Sequence, residues 1–213
     1  MSVTNISKTE AAKRQLDTAI DLFFEDGDAF SAHTLAFAAF KVMLNLYSHR
    51  KNDDFGEQID KLISERIGWE RFSNTANFLK HADRDPDGFL EDFHAEMVLP
   101  LIGLATLLYR KLSGDFSPKM EAFDFWIETL AADELGIEDA DENKERLHLE
   151  AEWRQQLRDA PTDARMKFAR ASYHYFLDNS ERIQAVVKKY LTEGKTVTQA
   201  LDENMAEREK NRQ

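Results

Sequence analysis

The stretch from Ala29 to Tyr47, A-F-S-A-H-T-L-A-F-A-A-F-K-V-M-L-N-L-Y, holds one formally charged side chain, Lys41. A helix apolar on most of its surface cannot leave a face in water, so this one has to be central, with neighbours on several sides. That requirement dictates a bundle, in which the flanking segments supply helices with one apolar stripe each. Leu35, Ala36, Ala39, Phe40 and Met43 are expected in its core. His33, inside the same stretch, reads as a core or edge histidine held by a hydrogen bond, not as a catalytic group.

The flanking sequence supplies such helices. Ser7 and Glu10 make a capping-box pattern, followed at helical spacing by Ala12, Leu16, Ala19, Ile20 and Phe23 until Asp26-Gly27 stops the helix. Past the polar break after Tyr47, a short amphipathic helix carries Ile59, Leu62 and Ile63, and Gly68 ends it. Trp69, Phe72, Ala76 and Leu79 then form one apolar stripe, with Ser73, Asn77, His81 and Arg84 on a second. An apolar helix follows over about 97–112, with Pro100 in its first turn, where no N–H is needed. Ser117-Pro118 opens another helix, whose apolar face has Phe123, Trp126, Ile127 and Leu130. The acidic run 131–143 reads as a linker. Further helices are expected over 144–158, from Pro161 through Phe168 and Phe176, over 183–191, and around Leu201. The class is all-α: a multi-helix bundle over 1–131 and a C-terminal helical extension over 132–213.

Composition narrows the chemistry. The net charge of -12 over 213 residues argues against a broad grip on nucleic acid, so no DNA binding is expected. The chain has no cysteine, which removes disulfides and thiolate sites and fits a reducing cytoplasm. Neither a signal-peptide pattern nor a spanning segment is read, and a soluble cytoplasmic protein is expected. The eight glycines stand singly, so there is no phosphate-cradling loop, and neither a nucleophile elbow nor H-E-x-x-H occurs. No cofactor is expected.

Chemistry-bearing residues gather between Trp69 and Gly88. Asp83, Asp85, Asp87 and Gly88 reproduce the opening of a calcium loop, with Leu90 and Glu91 acceptable further on. Its twelfth position is His94, where such a loop needs a bidentate Glu, and Pro86 stiffens the middle. The aspartates therefore read as helix terminators, with Asp87 a natural N-cap, and no metal site is assigned. His81 and His94 match no strong ligand spacing either. Asn77 and His81, four residues apart, share one face of a helical turn. There a histidine of near-neutral pKa can exchange a proton with a ribose hydroxyl or leaving oxygen.

The early helices with G-D-A-F-S-A-H-T-L-A-F-A-A-F-K-V-M-L, and A-N-F-L-K-H after them, resemble the HEPN superfamily of helical bundles. Many of its members are dimeric, metal-independent ribonucleases of toxin–antitoxin or phage-defence systems. The resemblance covers about residues 8–112 and implies that His81 is the catalytic base and Asn77 the polar residue of the motif. At the motif's arginine position this chain has Ala76, flanked by Thr75 and Asn77. Arg84, then Lys80, then Arg71 would have to supply the missing cation. The expectation is an RNA-associated bundle with weak or lost ribonuclease activity. The alternatives are a non-enzymatic protein-interaction module and, more weakly, a calcium module at Asp83–Asp87. Phe78, off the core stripe beside Asn74 and His81, points to a homodimer through that face.

Overall fold

The computed structural model describes residues 5–51, 53–80, 83, 86–91, 93–131, 155–182, 185, 203, 206 and 210. All regular structure among them is helical, so the all-α class stands. The chain forms two compact units, Met1–Ser117 and Pro118–Gln213. The boundary expected at 131/132 falls at the edge of the described residues, and the helices expected over 144–154, 186–191 and around Leu201 lie outside them.

In the first unit, α1 (Lys8–Phe24) starts where Ser7 Oγ accepts the Glu10 N–H at 3.1 Å. Only half of the capping box forms, because the Glu10 carboxylate accepts from Arg14 Nε at 2.8 Å, one turn on. Ala12, Leu16, Ala19 and Ile20 are buried as expected. Phe24 rather than Phe23 fills the last core position, Phe23 being half-buried against its ring. The reversal that follows needs two special residues. Asp26 takes a left-handed φ of 58°, and a Cβ on Gly27 would stand 2.7 Å from the Leu22 side chain.

Helix α2 (Ala29–Arg50) opens on Asp28, whose side chain accepts the Ser31 N–H at 2.8 Å. Ala32, Ala36, Phe37, Ala39, Phe40, Met43, Leu44 and Tyr47 are buried; Leu35, expected among them, is half-buried. By length and composition α2 is also the one described helix able to cross a membrane, a property it shares with core helices of soluble proteins.

The neighbours of α2 can be ordered from their contacts. Arg50 Nη1 reaches Thr9 Oγ1 at 3.3 Å, so α1 runs antiparallel to α2. Helix α3 (Phe55–Leu62) begins at the far end of α2, with Phe55 5.4 Å from Tyr47 between ring centroids. The Tyr47 hydroxyl donates to Asp53 at 2.7 Å and closes that corner. The chain then widens into a π-helical turn, Ile63–Ile67, and breaks at Gly68, whose φ of 88° suits glycine. Helix α4 (Trp69–Lys80) resumes halfway back along α2, where Phe40 meets Trp69 at 6.0 Å and Phe72 at 6.2 Å. Thus α3 descends antiparallel to α2, and α4 takes up at the middle of α2.

The return connection brings Phe93 to the start of α2, 5.5 Å from Phe30 and 5.9 Å from His33. A 3-10 turn, Ala95–Met97, leads into α5 (Val98–Ser113), which runs parallel to α2 and ends with Lys111 over the Phe55 ring at 4.4 Å. Pro100 lies in its first turn, as read from the sequence. Gly114 closes the helix at φ 67° by bonding the Arg110 carbonyl. Asp87, read as a cap, does not start a helix: the next helical turn begins at Ala95, because G-F-L-E first passes through irregular chain.

In the second unit, α6 (Pro118–Ala131) and α7 (Thr162–Asp178) pack through Phe125 on Phe176 at 5.0 Å and Trp126 on Phe168 at 6.2 Å. Met120, Phe123, Trp126, Ala169, Tyr173 and Phe176 are buried there.

Candidate functional site

Helix α4 carries the described part of the site read from the sequence. Its inner stripe is held on α2 by Phe72, Thr75 and Ala76, all buried. Leu79 continues that stripe, yet it is 46% exposed, because cover ends one turn before the helix does. Phe78, beside it, is 38% exposed. Arg71, Asn74, Asn77 and Lys80 are exposed along the outer surface. His81 and Arg84 lie outside the described residues, so the structure brings Asn77 and Lys80 to one exposed helix end without placing the histidine between them.

The aspartate cluster is described only in part. Asp83, Asp87 and Glu91 are exposed, Asp85 lies outside the described residues, and no group of three or more His, Asp or Glu able to hold a metal occurs among the described ones. His94, at the twelfth loop position, pairs with Glu96 at 2.8 Å. A hydrogen bond from its own backbone N–H, and then the one with His94, hold the Glu96 carboxyl below the usual range. The charge of Arg71 acts in the same direction. Further along the connection Phe89 is 89% exposed.

His33 departs from its sequence reading. It is 1% exposed, and neither ring nitrogen has a hydrogen-bond partner. Its ring stacks on Phe37 at 6.5 Å with 12° between planes and meets Phe93 edge-on. Burial lowers its pKa, so the ring is neutral at pH 7.

An open groove of about 340 Å³ lies elsewhere, between the second half of α2 and α3, lined by Lys41, Asn45, Ser48, Glu57, Asp60 and Lys61 among others. Gly56 leaves the room for it: a Cβ there would approach Ser48 Oγ to 3.1 Å. None of the residues singled out on α4 lines this groove, and no single-helix periodicity marks it, because it forms only where two helices meet. Lys41 is partly committed, with Nζ 4.4 Å from the Trp69 ring.

No protein-family model matches the chain, and no curated protein or solved structure matches it either.

Proposed function

We propose that the chain is a non-enzymatic, HEPN-like helical interaction module that pairs with a second copy of itself through the outer end of α4. One observation carries this reading: Phe78, off the core stripe, and Leu79, where that stripe outruns its cover, are consecutive and both exposed. Covering the exposed part of these two side chains against a partner favours association by about 1 kcal/mol each. Asn74 and Asn77 supply hydrogen-bonding groups at the rim. Charge on the helix does not oppose self-pairing: from Arg71 to Lys80 there is no carboxylate, although the whole chain carries -12. Sedimentation equilibrium tests the proposal. A dimer is expected for the wild type and a monomer, with unchanged helix content, for Phe78→Asp. A wild type that stays monomeric at high micromolar concentration overturns it.

The same lack of carboxylate supports a second reading, RNA association. In it His81 is the general base toward a 2′-OH, Asn77 orients it, and Arg84 and Lys80 offset phosphate charge. The HEPN resemblance is what suggests these roles. With Ala76 at the arginine position, a displaced cation stabilises the pentacoordinate phosphate poorly, and an amide does not replace a bidentate guanidinium. Binding without turnover is the expected result when the protein is incubated with RNA and chelator. Brisk cleavage abolished by His81→Ala would make the protein a metal-independent endoribonuclease and displace the non-enzymatic reading.

A further inference from the structure

The connection from Phe93 through Ala95–Met97 is fixed to the start of α2 by an aromatic cluster with a titratable member. Phe93 sits 5.5 Å from Phe30 and 5.9 Å from His33, and His33 in turn stacks on Phe37. We propose that His33 is an acid-sensitive latch: protonation drives its ring out of the Phe30–Phe37–Phe93 cluster and releases this segment from α2.

The argument rests on what surrounds the ring. A neutral imidazole tolerates a site made of aromatic faces and edges. An imidazolium has two N–H donors and a charge to satisfy, and neither nitrogen meets an acceptor here. The charged groups carried by the surrounding described elements are Asp21 and Glu25 on α1, Asp28 at the head of α2, Glu70, Arg71 and Lys80 on α4, and Glu91, His94 and Glu96 along the connection. Helix α5 has no charged residue from Val98 to Tyr109. Asp28 is engaged with Ser31, and His94 with Glu96. None of these groups compensates the ring, since burial is the sole cause of its weakened hold on a proton. Stacking on Phe37 gives some cation–π relief, but it leaves both N–H groups dry. Water is the remaining acceptor, and the ring reaches it when Phe93 moves aside. Phe93 is already half-buried and is followed by a three-residue 3-10 turn, so the connection is the element that yields, while α2 is held on several sides.

Hydrogen exchange read by mass spectrometry between pH 7.5 and 5.5, corrected for the chemical rate, tests the latch on the full chain. Peptides spanning 93–97 are expected to lose at least tenfold protection on acidification, while peptides from the middle of α2 keep theirs. His33→Phe should abolish the pH dependence. Because that variant replaces a ring in a packed site, a second measurement is made without it: the His33 ring followed by NMR. Its midpoint in the wild type is expected below that of free histidine, coincident with loss of protection, and Phe93→Ala should raise it. Protection independent of pH, an unchanged acid response in His33→Phe, or a ring that titrates like free histidine while 93–97 stays protected would each overturn the proposal.

Discussion

Truncating Phe40 to Ala tests the arrangement of the first unit most directly. The ring is fully buried at the middle of α2 and is the residue on which α4 lands, through Trp69 and Phe72. Removing a buried Phe side chain loses about 1.5–3 kcal/mol of transfer free energy. Two tilted or edge-on aromatic pairs add about 0.5–1.5 kcal/mol each. A site enclosed by α2 and α4 cannot collapse fully, so the expected loss is about 3–5 kcal/mol. Against a typical domain stability of about 5–15 kcal/mol this is severe but survivable. With two units in the chain, a bulk unfolding signal mixes both. Hydrogen exchange of peptides from 29–50 in rising urea isolates the first. The loss should be accompanied by early exchange in 69–80, because α4 has few other buried contacts. A loss below about half a kcal/mol, or full loss with α4 protection unchanged, would refute the packing argument.

Gly114→Ala should cost about 1 kcal/mol in the same assay, since φ is 67° and the open space around it gives the new methyl nothing to gain. The Tyr47 hydroxyl has its pKa pushed up to about 12 by burial and by the Asp53 hydrogen bond. A folded-state value above the unfolded one means a contribution complete below pH 10 and lost as pH rises toward 12. Alkaline titration of stability should show that decline in the wild type and less of it in Tyr47→Phe. For His33 the sign is opposite. Its folded-state pKa lies below the unfolded 6.5, so stability is whole above that pH and falls as pH drops beneath it, which acid-side urea titrations should show. Millimolar calcium should leave the melting temperature unchanged, because position twelve of the aspartate loop is His94 paired with Glu96; a rise reversed by chelator would refute this.

Much of the fold was legible because it depends on single-helix patterns. The lack of charge in α2 announced a central helix, Ser7 announced the start of α1, and Gly68 the break before α4. What a lone helix cannot reveal is where its neighbours end. Leu79 has the spacing of a core residue and the exposure of a surface one, and Leu62 is likewise exposed. Consecutive Phe23 and Phe24 could each close the α1 stripe, and only the folded unit, which buries Phe24 and leaves Phe23 at its edge, decides between them. The π-helical turn at Ile63–Ile67 was hidden, because Ile59 and Ile63 fit an ordinary helix equally well. The unpaired state of His33 depends on the residues facing it from Phe93, sixty positions on. Of the candidate site, the exposure of Asn77 followed from the stripe opposite it; that of Lys80, one turn past Ala76, follows from the cover ending before the helix does.

The apolar girth of α2 also bears on how the chain is made. Synthesis delivers the N-terminus first, so α1 exists before α2 emerges, and the short turn at Asp26-Gly27 folds it back at once. Its antiparallel stripe shields one flank of a helix apolar enough to enter a bilayer. Another flank takes α4 at Phe40, and the one beside α1 waits for α5, which begins at Val98. Until then the nascent chain presents a partly covered hydrophobic rod, the species on which a holding chaperone or a membrane surface would act. Arrival of α5 ends that exposure, so translation speed between codons 50 and 113 bears on the yield of folded protein.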